Sequence, residues 1–208
     1  MHVEIPTPSG PATAEIDRPG GTPIALLVLT HGAGGGVAST DLNAVRGSAL
    51  KAGITVVRLT QPYRVAGRRA PPTPAVQDAA WLAALAAVRR RRGLATLPLV
   101  VGGRSNGARV ACRTAAASGA TAVVALAYPL HPPGRPDVTR LPELDGAGVP
   151  LLVVQGDRDP FGMPPAGPLR EVLVIPGADH SLRRELATVS RAVTDFVTTV
   201  ARHANVGS

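Results

Sequence analysis

Gly103-Arg104-Ser105-Asn106-Gly107 sets a serine between two glycines, where a short apolar run ending at Gly102 gives way to an alanine-rich segment of helical pattern. Turning from strand to helix within about one residue forces the central residue into a strained backbone, and the flanking glycines remove Cβ atoms that would collide with neighbouring elements. The Ser105 hydroxyl is thereby lifted into solvent. The unpaired N–H groups and positive dipole end of the following helix point at the same spot. Such a serine is suited to attack a carbonyl carbon, with stabilisation of the resulting oxyanion supplied by the same turn. The five-residue pattern also arises by chance in glycine-rich turns; the strand-like run before it and the helical run after it give it weight.

A lone serine is a weak nucleophile and needs a base, and the base needs a carboxylate to hold its tautomer. Two later segments offer them. Gly156-Asp157-Arg158-Asp159-Pro160-Phe161-Gly162 follows the apolar run 149–155, and Asp179-His180-Ser181 follows the run 171–175. Serine, aspartate and histidine come in that chain order, each at the C-terminal end of its own expected strand, so Ser105, Asp159 and His180 can meet at one edge of a sheet. Asp159 is the preferred acid. Asp157 directly follows Gly156 and suits a loop cap, while Asp179 adjoins His180 and its side chain diverges from it. Upstream, the buried run 24–30 leads into His31-Gly32-Ala33-Gly34-Gly35-Gly36. This loop lacks the Lys-Ser/Thr ending of a phosphate-binding P-loop and the Gly-x-Gly-x-x-Gly spacing of a dinucleotide site. The reading that remains is a second oxyanion donor, the Ala33 N–H, with Gly34 behind it and His31 bracing the loop.

The elements that must position these residues alternate regularly. Residues 2–17 read as an edge hairpin. Strands are expected over 24–30, 54–59, 99–102, 122–128, 149–155 and 171–175, separated by helical patterns. Ser39-Thr40-Asp41 reads as the N-cap of a helix to about residue 51, residues 61–72 as a long basic loop, and Thr73 or Pro74 as the start of a helix through Val88. Trp81, Leu85 and Val88 share one stripe of that helix, which makes Trp81 core. The last helix carries Leu182, Leu186, Val189, Val193, Phe196 and Val197 on its apolar face. Strand and helix in alternation argue for one α/β domain over 1–208, a mostly parallel central sheet flanked by helices in three layers.

The chain has 208 residues, 45% hydrophobic and 2% aromatic, so its core must be built from Ala, Val and Leu. The net charge of +8 would ordinarily suggest nucleic acid or an anionic surface. Here the basic residues are nearly all arginine and dispersed, apart from a cluster at 89–92 where a helix end favours cations, and no aromatic stacking platform accompanies them. The reading is therefore no nucleic-acid partner. No apolar run approaches the ~18 residues of a membrane span, no signal-like N-terminus appears, and the single Cys112 fits a reducing compartment and a buried position. A soluble, cytoplasmic monomer or homodimer is expected, without membrane association. Four further residues sit where substrate could touch them: Gly34, Arg68 in the basic loop, Arg104 beside the serine, and His131 after the 122–128 strand. For each a structural role competes, an ion pair or a loop brace.

The motifs Thr30-His31-Gly32-Ala33-Gly34-Gly35, Gly67-Arg68-Arg69-Ala70-Pro71, Gly102-Gly103-Arg104-Ser105-Asn106-Gly107, Tyr128-Pro129-Leu130-His131-Pro132-Pro133-Gly134, Gln155-Gly156-Asp157-Arg158-Asp159-Pro160-Phe161-Gly162 and Asp179-His180-Ser181 together resemble the α/β-hydrolase superfamily. More narrowly, they are similar to its small, lidless branch related to dienelactone hydrolases. The resemblance spans nearly the whole chain. It implies a three-layer α/β-hydrolase fold without a lid domain, a Ser105, Asp159 and His180 triad, oxyanion donors at Ala33 and Asn106, and no cofactor or metal. Dienelactone hydrolases carry cysteine where this chain has Ser105, so their substrate does not transfer. The expected activity is cleavage of a small ester or thioester through an acyl-enzyme. A non-catalytic interaction module on the same fold is the competing reading.

Overall fold

Uninterrupted apolar strands are stable only in a sheet covered on both faces, and the computed structural model, which describes residues 1–206, has such a sheet. Its strands are β1 (His2–Ile5), β2 (Ala12–Asp17), β3 (Ala25–Thr30), β4 (Ile54–Thr60), β5 (Leu99–Arg104), β6 (Ala122–Leu126), β7 (Leu151–Gly156) and β8 (Arg170–Ile175). The helices are α1 (Thr40–Lys51), α2 (Pro62–Val65), α3 (Pro74–Arg89), α4 (Asn106–Ser118), α5 (Leu141–Asp145) and α6 (Leu186–Val206). The spatial order is β1-β2-β4-β3-β5-β6-β7-β8. The pairs from β4 through β8 are parallel, while the hairpin β1–β2 adds antiparallel strands at one edge.

Side-chain alternation divides the core into two. Leu26, Val28, Val101 and Val123 face α3 and α4, where Trp81, Leu85 and Val88 pack with Ala111 and Cys112. Leu27, Leu29, Val100 and Val124 face α1 and α6, packing with Leu42, Val45, Val189 and Val193. Three layers result, with small residues throughout. The narrow Ala- and Val-lined faces let helices approach the sheet closely, which compensates for the scarcity of aromatic side chains.

The topology opens a crevice where the site belongs. Adjacent strands β3 and β5 are parallel, yet β3 leads to α1 on one face and β5 to α4 on the other. Their C-terminal loops diverge, the arrangement that creates a ligand crevice in open α/β sheets.

Local boundaries differ from expectation chiefly in four places. Ser39 is the α1 N-cap by backbone but makes no side-chain cap bond, and Asp41 in the first turn accepts the Leu42 N–H through Oδ1 while its Oδ2 meets Arg104. The 61–72 loop contains the short helix α2, started by Pro62. β6 ends at Leu126 because Ala127 has φ of 47°. The final helix begins at Leu186 rather than Leu182. Leu182 and Glu185 both have positive φ, and the Leu182 N–H closes a turn on the Asp179 carbonyl, with its side chain buried in the α1/α6 core. Between β6 and β7, where a lid would be inserted, the only helix is the five-residue α5.

Cys112 is fully buried in α4, and its thiol is pushed up to about 12, first by burial and then by the Glu143 carboxylate. Ellman's reagent at about pH 8 is therefore expected to leave the folded protein unlabelled and to react only as the chain unfolds. Prompt labelling under native conditions contradicts this placement.

Candidate functional site

Ser105 sits between β5 and α4 with φ of 52° and ψ of −117°, a conformation that costs a non-glycine residue about 1–3 kcal/mol. Two features hold it there. Its N–H donates to the Leu126 carbonyl at 2.8 Å, fastening the turn to β6. Beneath it, the backbone of the turn lies directly on β3: a Cβ on Gly103 would stand 2.5 Å from the Thr30 carbonyl oxygen, and one on Gly107 2.7 Å from that of His31. Only glycine permits this approach at either position.

The Ser105 Oγ lies 2.9 Å from His180 Nε2, and His180 Nδ1 lies 2.8 Å from Asp159 Oδ2. With Nδ1 donating to the carboxylate, Nε2 is free to accept the serine proton. The Asp159 side chain is wholly buried. Its Oδ1 accepts the Phe161 N–H at 2.9 Å, and its Oδ2 also accepts from Gln155 Nε2 at 2.9 Å. Gln155 is itself buried at the end of β7. Its Oε1 accepts the Tyr128 N–H while its Nε2 meets the Tyr128 and Gly162 carbonyls, joining the loop after β6 to the loop after β7. The Phe161 ring meets the imidazole of His180 edge to face, with centroids 4.5 Å apart. The two other acids lie elsewhere: Asp157 Oδ1 accepts the Gly177 N–H at 2.7 Å, and Asp179 is exposed and accepts the Ser181 N–H.

The loop after β3 is rigidly built. His31 is fully buried, its Nδ1 donating to the Gly32 carbonyl at 2.8 Å and its Nε2 accepting the Gln61 N–H at 3.0 Å. Burial holds its pKa below the ordinary histidine value. The Tyr63 hydroxyl donates to the Ala33 carbonyl at 2.9 Å and Arg64 Nε to that of Gly35. Ala33 and Asn106 thereby flank Ser105 in the wall of one small pocket of about 220 Å³. Among the described residues neither backbone N–H has an acceptor.

Arg104, expected as a possible substrate contact, is engaged by the protein. Its Nε meets Asp41 Oδ2 at 2.8 Å and its Nη2 donates to the His180 carbonyl at 2.7 Å. The Asp41 side chain is 1% exposed, so this is a buried bridge from α1 through β5 to the histidine loop. His131 is likewise a brace: its Nδ1 donates to the Val138 carbonyl at 3.0 Å and its N–H to the Phe161 carbonyl at 2.9 Å. Gly34 is exposed at the tip of its loop and does not line the serine pocket. Arg68 lines a neighbouring hollow with Tyr63 and Val76; Pro71 borders both. The wall of the serine pocket instead carries Arg109 and Arg140, which the motif reading did not single out. Arg109 falls one helical turn past Ser105, and that spacing is the signal available for it.

No curated protein sequence matches the chain. Solved structures match its fold. A protein of Xanthomonas campestris described as an α/β serine hydrolase without a lid is 23% identical over 96% of this chain and 94% of its own, with a TM-score of 0.76. Est1E from Butyrivibrio proteoclasticus is 17% identical over 96% and 98%, with a TM-score of 0.79. A dienelactone hydrolase from Anabaena variabilis is 16% identical over 94% of each chain, with a TM-score of 0.74. The sequence itself matches the family described as an alpha/beta hydrolase domain across residues 23–205, most of its length, and the chain belongs to that family.

Proposed function

We propose that the protein is a serine hydrolase that cleaves a small ester or thioester through an acyl-enzyme. The observation that carries this is the hydrogen-bonded chain from Ser105 Oγ through His180 to Asp159, opening into a pocket beside two backbone N–H groups that have no acceptor among the described residues. In the first half-reaction Ser105 Oγ attacks the carbonyl carbon and its proton passes to His180 Nε2. Asp159 stabilises the imidazolium and keeps its Nδ1 proton in place. The Ala33 and Asn106 N–H groups receive the oxyanion. Asn106 is the first residue of α4, so its N–H is free of the helix ladder and gains from the dipole. His180 then protonates the leaving alcohol or thiol, and a water molecule repeats the sequence to release the acid. The pocket is small and has no helical cover, which suits short or exposed acyl groups. The neighbour described as a serine hydrolase without a lid supports the same class of chemistry.

A fluorophosphonate probe should label the wild-type protein and not Ser105→Ala, and p-nitrophenyl acetate hydrolysis by Ser105→Ala should fall on the order of 10⁴-fold or more. Asp159→Asn, which offers a donor where His180 needs an acceptor, should reduce kcat by about 10⁴-fold. A folded wild type that resists the probe sinks the hydrolase reading and leaves the interaction module.

The buried bridge yields a separate expectation. Arg104→Met leaves Asp41 charged and unpaired in the core, costing about 3 kcal/mol of stability, and frees the His180 backbone, lowering kcat roughly tenfold with little change in KM. Adding Asp41→Asn should restore much of the stability but not kcat. Recovery of both together in the double variant means Arg104 acts on stability alone.

A further inference from the structure

Three guanidinium groups surround two carboxylates behind the serine pocket. Arg109 forks onto Glu143, with Nε and Nη2 at 2.9 and 2.6 Å from its two oxygens. Arg113 forks onto Asp78 at 2.9 and 2.6 Å and reaches Glu143 at 3.5 Å. The Tyr128 hydroxyl adds a further contact to Glu143 at 3.1 Å. Both acids are fully engaged by these partners. Arg140 is left over. Its Nη1 donates to the Pro129 and His131 carbonyls at 3.1 and 3.3 Å, and it forms no ion pair among the described residues. Burial, and then the Arg109 guanidinium, pull its pKa below the ordinary arginine value, and the Glu143 carboxylate, already forked by Arg109, offsets this only in part.

This unmatched cation lines the same pocket as Ser105, together with Arg109, Asn106 and Phe161. Held at Nη1 by two backbone carbonyls, the guanidinium is oriented before any ligand arrives, which lowers the ordering cost of binding. Its planar fork matches a carboxylate. Resting on the hydrolase reading above, we propose that the substrate carries a carboxylate, seated in the serine pocket and bound by Arg140 with Arg109 beside it. The pocket's volume of about 220 Å³ suits a short spacing between ester and carboxylate, as in the half-ester of a small dicarboxylic acid. Arg68 and Arg104, the arginines that sequence position favours for this task, are respectively in the adjoining hollow and already bridged to Asp41.

The experiment compares substrates that differ only in carboxylate against carboxamide. On the acyl side the pair is the mono-p-nitrophenyl ester of adipic acid and that of adipamic acid. On the alcohol side it is 3-carboxyphenyl and 3-carbamoylphenyl butyrate. We expect kcat/KM to favour the carboxylate in one pair by about tenfold or more. The preference should shrink with added salt, collapse toward unity in Arg140→Gln, and survive in part in Arg140→Lys, which keeps the charge. If Arg140→Gln fails to fold, the wild-type ratio and its salt dependence still decide. No preference in either pair, from a protein whose Ser105 labels with fluorophosphonate, overturns the carboxylate subsite while leaving the hydrolase reading intact. A preference that Arg140→Gln retains in full overturns the assignment to Arg140. Failure of labelling removes the hydrolase reading itself.

Discussion

Everything at this edge of the sheet depends on keeping Ser105 in a backbone conformation that serine avoids. The turn is not stabilised by its own side chain; Ser105 heads α4 without a side-chain cap bond. It is clamped from outside, by the Leu126 carbonyl on one side and by the contact of Gly103 and Gly107 with the β3 backbone on the other. Those contacts exist only if β3, β5 and β6 are already in register. The serine's geometry is therefore a product of the assembled sheet, and its strain of about 1–3 kcal/mol is borne by packing that spans three strands.

The same logic extends to the histidine and its acid. His180 and Asp159 occupy loops after β8 and β7, and irregular segments position side chains reliably only when their backbones are tied. The ties run crosswise. Gln155 links the carboxylate to the Tyr128 and Gly162 carbonyls, and Arg104 links the His180 carbonyl to Asp41 on α1. Because Asp41 and Gln155 are buried, these bonds act in a medium of low effective dielectric and are not exchanged for water. The result is a hydrogen-bonded frame around three side chains that come from different strands.

How much of this is legible in the chain depends on range. The serine turn is local: glycine spacing, an apolar run before and a helical run after are all that its geometry requires, so Ser105 can be read directly. The fold follows from the alternation of apolar runs with helical periods, and the choice of Asp159 over Asp157 and Asp179 needs only loop position and side-chain direction. Asp41 is different. By local propensity it belongs to a helix N-terminus, and it sits there, accepting the Leu42 N–H; what is invisible to any short window is that its other oxygen pairs with Arg104 across 63 positions of sequence. Gln155 and Arg140 are hidden for the same reason. Each is a single polar residue beside an apolar or proline-rich stretch, and its meaning lies wholly in which distant carbonyls and charges it meets.

The surplus of basic residues, 22 against 14 acidic, bears on what an unmatched arginine means. On the surface a solvated guanidinium costs almost nothing, so most of the excess carries no structural message. Several arginines that leave the surface are handled differently in this molecule. Arg58 meets Glu15, Arg104 meets Asp41, Arg109 meets Glu143, Arg113 meets Asp78 and Arg170 meets Asp145, each across distant segments. Others that are partly buried rest on backbone carbonyls instead, Arg64 on those of Gly35 and Arg68 and Arg89 on that of Ala95. Arg140 belongs to this second group, and its place is the wall of the pocket that contains Ser105. The loop carbonyls it holds explain its orientation without pairing its charge, and that pairing is one a substrate carboxylate can supply.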